Sequence, residues 1–178
     1  MSRSASSGLP PADLVQPAPA ARRPPMRAIT AAAVAVGAVL LVSAAGAFFP
    51  PGAWYDGLAK PSFHPPDAVF GPVWGVMYTL NAIALYLLLR APRSAPRRHA
   101  LAAMGVQLAL NAMWTPAFFG AQQIGLALAV IVALVVAILA AIALAWRVRR
   151  AASMLLLPYL GWVSFATVLN ASLWAMNR

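Results

Sequence analysis

The chain has 178 residues, of which 62% are hydrophobic and only 9% are charged. About a quarter of a typical soluble chain is charged, so this composition argues against a water-soluble domain and favours a membrane protein. The net charge is +10, with 13 Lys and Arg residues against 3 Asp and Glu. The chain contains no Cys, which excludes disulfides, thiolate nucleophiles and cysteine metal sites.

The N-terminal segment, residues 1–26, is rich in Ser, Ala and Pro and is predicted to be a disordered tail. An apolar run follows at 28–49 and is long enough to cross a membrane as a helix. A cleaved signal peptide is the alternative, because arginines precede the run and small residues lie within it. The run is longer than the core of a signal peptide, which favours a spanning helix.

Four more apolar runs come later in the chain, each near the ~20 residues that a spanning helix needs. We therefore expect an all-α membrane protein, in which residues 27–178 form one bundle of five transmembrane helices. Prolines at 72, 116 and 158 are compatible with such helices, since neighbouring groups can satisfy the freed carbonyls. The four runs are 68–89, 100–119, 124–146 and 151–174.

The basic residues explain the charge once they are placed on this map. All of the 13 except Lys60 and Arg178 fall in the tail or at Arg27 directly after it, in the loop at 90–99 or in the turn at 147–150, which five spans put on one side. The positive-inside bias then predicts a cytoplasmic N-terminus, most simply in a bacterial cell membrane. Nucleic-acid binding is not expected, because these arginines occupy short turns without interleaved aromatics.

The predicted spans have no ionisable side chain near their centres. Proton-driven transporters use such groups as relays, so this class is disfavoured. A hydrolase is disfavoured too, because it needs a nucleophile beside a base, and both histidines, His64 and His99, lie in loops.

Aromatic and amide side chains recur at helical spacing in three spans, so each span can turn such a face toward a shared interior. A ligand pocket and plain core packing both remain open, since amides also serve as interhelical hydrogen-bond partners. Trp146 and Trp174, at the ends of their spans, are predicted to be interfacial anchors. The faces comprise Trp74, Tyr78 and Asn81; Gln107, Asn111, Trp114 and Phe118; and Trp162, Phe165, Ala166, Leu169 and Asn170.

The first loop, 50–67, carries Asp56, Lys60, His64 and Asp67. These do not match the ligand spacing of a known metal site, so no metal is expected. Three prolines stiffen the loop, and we interpret it as a lid over a cavity.

Three ordered segments identify a family resemblance. They read WYDGLAKPSFHPP at 54–66 followed by VFGPVWG at 69–75, LNAMWTP at 110–116, and PYLGW at 158–162 with FATVLN at 165–170. They resemble the TspO/MBR family, which comprises the tryptophan-rich sensory proteins and translocator proteins, also called peripheral benzodiazepine receptors. The resemblance extends over residues 28–177.

The resemblance implies a five-helix bundle, commonly a homodimer, that binds porphyrins and other tetrapyrroles without an obligatory cofactor. It implies a receptor, a carrier or a regulator of porphyrin level and stress signalling, with membrane lipid around it. By location alone, Lys60, Phe63 and His64 are candidates for the mouth of the site. The implied ligand-binding residues are Tyr55, Trp74, Tyr78, Asn111, Trp114, Trp162 and Ala166.

The sequence departs from the family pattern at three positions. Phe63 and Ala68 replace loop aromatics, the first of them usually Trp, which weakens the alternative of a light-dependent porphyrin-degrading enzyme. Ala171 stands where the sterol motif of mitochondrial members has Tyr, which weakens a lipid- or sterol-binding role. A structural membrane protein is the remaining alternative, with Gly71 and Gly75 mediating helix packing or dimer contact.

Overall fold

The computed structural model describes residues 26–178, and all of them that form regular structure are helical. The predicted disordered tail therefore lies outside the described residues, apart from Met26. The elements are α1 (Ala28–Phe48), α2 (Ala53–Asp56), α3 (Asp67–Arg90), α4 (Ala95–Thr115), a π-helical turn (Pro116–Gly120), α5 (Ile124–Trp146), α6 (Arg150–Leu155) and α7 (Leu157–Met176).

Four stretches of the described chain are long and apolar enough to cross a membrane: α1, α3, α5, and α6 together with α7. The expected count of five spans is thus not confirmed, because α4 falls outside this set. The reason is compositional: α4 begins with Arg97, Arg98 and His99 and carries the amides Gln107 and Asn111 farther along. The chain is a multi-pass helical membrane protein.

The three prolines have different effects on their helices. Pro72 lies inside α3, which continues through it. Pro116 ends α4, and the chain passes into the π-helical turn, where the Ala121 amide donates to the Pro116 carbonyl at 2.8 Å. Pro158 has no amide hydrogen to donate to the preceding turn, so the predicted fifth span is broken at Leu156 into α6 and α7.

The half of the bundle next to the arginine-rich turns, here called the basic half, is tightly packed. Small side chains at the helix contacts let the backbones approach closely. Completely buried examples are Ala31, Ala84, Ala100, Ala141 and Ala152. Larger side chains such as Leu88 and Met104 fill the space between them in the same cluster.

Arginine side chains hold the turns of the basic half in place. Buried Arg97, in the first turn of α4, donates to the carbonyls of Leu88 and Leu89 at 2.9 Å each. Arg90 donates to the Met26 carbonyl at 2.7 Å. The Arg97 bonds add partners for carbonyls in the last turn of α3, and the Arg90 bond ties this end of α3 to the start of α1.

The other half of the bundle, here called the loop half, lies under the first loop. Aromatic rings are concentrated here, and together with aliphatic side chains they form two clusters among α2, α3, α4, α5 and α7. The pair Gly71 and Gly75 does not mediate packing within the chain, since a Cβ at either position would meet no atom within 4 Å. Its role in a dimer stays a prediction.

Candidate ligand-binding site

A cavity of about 490 Å³ occupies the loop half. This volume is within the range of about 300–1,000 Å³ that is usual for small-molecule sites. Its lining is mainly apolar and aromatic and comes from every long helix as well as from α2. All seven residues singled out for ligand binding line it: Tyr55, Trp74, Tyr78, Asn111, Trp114, Trp162 and Ala166.

Rings on three helices form the walls of the cavity. The Trp74 ring lies 5.4 Å from that of Tyr78, one turn along α3, with the planes tilted by 31°. On α7, the Trp162 ring contacts Phe70 at 5.9 Å in an edge-on arrangement. On the α4 side, Trp114 stacks on Phe118 at 5.0 Å. These spacings are typical of favourable aromatic pairs, so the walls hold their shape through mutual contact.

The π-helical turn at the end of α4 contributes two further rings, Phe118 and Phe119. The helical spacing of the sequence already included Phe118, but Phe119 lies off that face. Because the π turn adds a residue to the repeat, both neighbours line the cavity. Phe70 and Leu169 also line it. The only sequence signal for the π turn was Pro116, which does not by itself distinguish a π turn from a helix end.

Buried polar side chains beside the cavity bond mainly to one another. Tyr78 donates to the Asn111 side-chain oxygen at 3.2 Å, and Asn111 donates to the Tyr159 hydroxyl at 2.8 Å. Trp114 donates to the side-chain oxygen of Asn170 at 3.0 Å, and the Asn170 amide donates to the Ile124 carbonyl at 3.0 Å. These bonds fix the orientations of the indole and phenol rings.

Trp162 differs from Trp114 in this respect. Its indole nitrogen Nε1 is buried, and no hydrogen-bond partner for it is found among the described residues. A buried donor without a partner costs about 1–3 kcal/mol. Because almost none of this nitrogen is accessible while the cavity is empty, it faces the surrounding side chains and not the open cavity.

The first loop covers the cavity and is held by its own side chains. The hydroxyl of Tyr55, on the short helix α2, shares a hydrogen bond of 2.6 Å with Nε2 of His64. Burial, with smaller contributions from Asp67 and Asp56, raises the pKa of Tyr55 to about 12. The hydroxyl thus stays protonated at neutral pH and is no nucleophile there.

A second contact joins the loop to the end of α7. The Asn177 side chain accepts from the Ala59 amide at 2.9 Å and donates to the Ala59 carbonyl at 3.0 Å. It also donates to the Leu173 carbonyl at 2.8 Å. The loop is therefore tethered across 118 residues of sequence, a contact that the sequence did not reveal.

The three candidates for the mouth of the site do not line the cavity. The Lys60 ammonium donates to the Tyr55 carbonyl at 2.8 Å and lies 4.6 Å from the Tyr55 ring centre, so it caps α2. Phe63 is half exposed and packs edge-on against Phe165. His64 is bonded to the Tyr55 hydroxyl and does not itself line the cavity. Asp67, at the start of α3, does line the cavity.

The lining of the cavity offers mainly apolar and aromatic contacts. Within residues 26–178, no three His, Asp, Glu or Cys side chains come close enough to hold a metal ion. The walls offer rings for stacking and a small side chain at Ala166. A flat, largely apolar molecule fits these features.

Known proteins match this chain over most of its length. A profile of the TspO/MBR family matches residues 30–175. The human Translocator protein is 44% identical over 129 residues, covering 70% of this chain and 75% of that protein. Protein CrtK of Rhodobacter capsulatus is 37% identical over 154 residues, covering 84% and 94%.

An archaeal relative gives the same result. The tryptophan-rich protein TspO of Archaeoglobus fulgidus is 39% identical over 143 residues, covering 79% of this chain and 92% of that protein. The range matched by the family profile, 30–175, includes every residue that lines the cavity. The chain belongs to the TspO/MBR family.

Proposed function

We propose that this protein binds a tetrapyrrole of the porphyrin or haem type in the cavity of the loop half, as a receptor or carrier that regulates porphyrin level. The observation that carries the proposal is the set of three indole rings, Trp74, Trp114 and Trp162, around one apolar cavity. Stacking on such rings is the main attraction available to a large flat ring system.

The polar features support the same ligand class. A tetrapyrrole presents a broad apolar face and a few acceptor groups at its edge. The hydroxyl of Thr115, at the cavity wall, can donate to one of these acceptors. Asp67 at the cavity wall disfavours a carboxylate beside it, so we place the carboxylates of the ligand away from the N-terminus of α3.

The membrane arrangement that we propose has five spanning helices, with α4 as the additional one. Gln107 and Asn111 in α4 are buried, and both bond to side chains of neighbouring helices. Polar groups in this position do not face lipid, so they do not prevent α4 from spanning. We place the basic half on the cytoplasmic side and the first loop on the opposite side.

Binding is favoured over light-driven degradation of the porphyrin by the position of the loop aromatics. Trp54 in α2 packs edge-on against Phe118 at 5.7 Å and does not line the cavity. Phe63 packs against Phe165 and is no indole. Illumination of the complex should therefore change the porphyrin spectrum no faster than illumination of free porphyrin.

The experiment is a titration of the purified protein with protoporphyrin IX, followed by tryptophan fluorescence. We expect saturable quenching that weakens at least tenfold in the double variant Trp74→Ala and Trp162→Ala, because two stacking walls are removed. The matched control is Trp146→Ala, which removes a half-exposed indole at the far end of α5. Quenching that is unsaturable, or equal in both variants, overturns the proposal.

A further inference from the structure

A second cleft lies at the basic end, far from the ligand cavity. It has a volume of about 370 Å³ and is formed by the turn between α3 and α4 and by the end of α5. Arg93 and Arg147 come from these two separate turns and line the same cleft. The other lining residues are Ala91, Pro92, Ser94, Pro96 and Val148.

These two guanidinium groups have no internal role that the structure shows. Arg90 and Arg97 donate to backbone carbonyls, and Arg150 lies over the Trp146 ring at 5.2 Å. For Arg93 and Arg147, both exposed, no side-chain hydrogen bond is found within residues 26–178. They are available to an external anion.

No acidic side chain of the described residues is near enough to neutralise the cleft. The two acids in residues 26–178 are Asp56 and Asp67. Asp67 begins α3, and the cleft lies beyond the other end of this 24-residue helix, about 36 Å away at 1.5 Å per residue. The charge of the cleft is therefore positive and is not compensated locally.

The backbone adds to this positive potential. Ser94 is the N-cap of the 21-residue helix α4, and it accepts a hydrogen bond from the Arg97 amide. The N-terminus of a helix carries a partial positive charge that favours anions. Here that charge coincides with the two arginines in one cleft.

The surroundings of the cleft indicate a lipid environment. Trp146 directly precedes Arg147 and is half exposed, as expected for an aromatic side chain at the level of the headgroups. An exposed apolar stripe on one face of α5 leads up to it. The stripe consists of Val132, Val136 and Leu139.

From this juxtaposition we propose that Arg93 and Arg147 form a binding site for the phosphate of an anionic phospholipid, whose acyl chains lie along the exposed stripe of α5. A basic pocket between helices on the arginine-rich side of a membrane protein is suited to such headgroups. A soluble anion would use the arginines but not the stripe, so the lipid accounts for both features.

The test is native mass spectrometry of the purified full chain with added phosphatidylglycerol or phosphatidylcholine, from which lipid affinities are measured. A guanidinium that hydrogen-bonds the lipid phosphate directly is expected to contribute about a factor of five in affinity. The double variant Arg93→Gln and Arg147→Gln should therefore bind phosphatidylglycerol about 30-fold more weakly. Its affinity for phosphatidylcholine should not change.

The matched control is Arg98→Gln with Arg149→Gln, which removes the same charge from exposed positions outside the cleft. The control should retain the affinity of the unchanged protein. An equal loss in both double variants overturns the proposal, because it shows diffuse attraction. Equal binding of both lipids overturns it too.

Competition with inorganic phosphate tests whether the cleft binds free anions instead of lipid. If it displaces phosphatidylglycerol at equal concentration, the cleft is a site for free anions, and the lipid assignment is wrong. Titration of both double variants with protoporphyrin IX should give unchanged quenching, since the two sites are at opposite ends. Unchanged quenching also shows that the variants are folded. The lipid-binding result can then be judged independently of whether the protein binds porphyrin.

Discussion

The two halves of the bundle are built from the same helices but from different side chains. In the basic half, alanines at the contacts bring the helix backbones together, and larger side chains fill the space between them. In the loop half, bulky rings support one another around a cavity of about 490 Å³. The comparison shows that large rings in a membrane bundle can keep helices apart. In this protein the cavity lies in the half where the aromatic side chains are concentrated.

The largest expected effect comes from filling the hollow half. Ala166→Phe places a ring inside the cavity, where it overlaps the ligand, so we expect porphyrin affinity to fall about 100-fold. The control is Ala175→Phe, which adds the same ring to an exposed position on α7. Fluorescence titration measures both, and equal affinities would show that the ligand binds elsewhere.

The same kind of change in the solid half should act on stability. Ala141 in α5 is completely buried in the tight cluster, so Ala141→Leu should cost about 1–3 kcal/mol of unfolding free energy. Ala166→Leu, in the loop half, should cost clearly less because the cavity accepts the added atoms. Denaturant unfolding in detergent measures both, and a larger cost for Ala166→Leu would contradict the comparison.

A third change tests the polar frame of the cavity. Asn111→Leu leaves the buried Tyr159 hydroxyl and the Tyr78 hydroxyl without their shared partner, so we expect a loss of about 1–2 kcal/mol. Thr79→Val is the control, since it removes a hydrogen bond of an exposed side chain. Thermal unfolding should give a lower melting temperature for Asn111→Leu than for Thr79→Val. Equal melting temperatures would show that the network does not stabilise the protein.

The smallest effect is expected at the loop. Tyr55→Phe removes the bond to His64, but the Asn177 tether remains, so only local mobility should increase. Because the chain has no Cys, a spin label at Ser62→Cys reports on the loop alone. The mobility of the label should rise about twofold in Tyr55→Phe, on the basis of one lost bond worth about 0.5–1.5 kcal/mol.

The same label gives a pH test. Burial raises the pKa of Tyr55 from 10.0 to about 12. The stabilising contribution of the protonated hydroxyl is therefore complete below pH 10 and is lost as the pH rises through about 12. Label mobility should increase over this interval in the unchanged loop but not in Tyr55→Phe. An identical pH response in both would exclude Tyr55 as the group that titrates.

Much of the site was predictable because it depends on helical periodicity. Trp74 and Tyr78 are four residues apart, as are Trp162 and Ala166, and any helix through them puts each pair on one face. The family resemblance added Tyr55, which periodicity cannot reach because it lies in the loop. The apolar run at α5 was equally clear, and the length of the run at α1 favoured a span over a signal peptide.

Other features depended on contacts between distant segments. Nothing in the sequence near Lys60 distinguishes a side chain at the mouth of a cavity from one that caps α2, and only the folded loop decided this. The Asn177 tether joins residues 118 apart, and the π turn reflects how the end of α4 packs under α2.

The sequence by itself determined the membrane environment, the all-helical fold and the polar and aromatic faces, because these follow from composition and a local repeat of 3.6 residues. It did not determine the number of spans, since the described part of the chain has four helical stretches that qualify where five were expected. The tertiary structure alone decided that the faces enclose a cavity rather than interlock. It also brought Arg93 and Arg147 into one cleft. Both results arise from how bulky and small side chains set the distances between helices, and no local pattern encodes those distances.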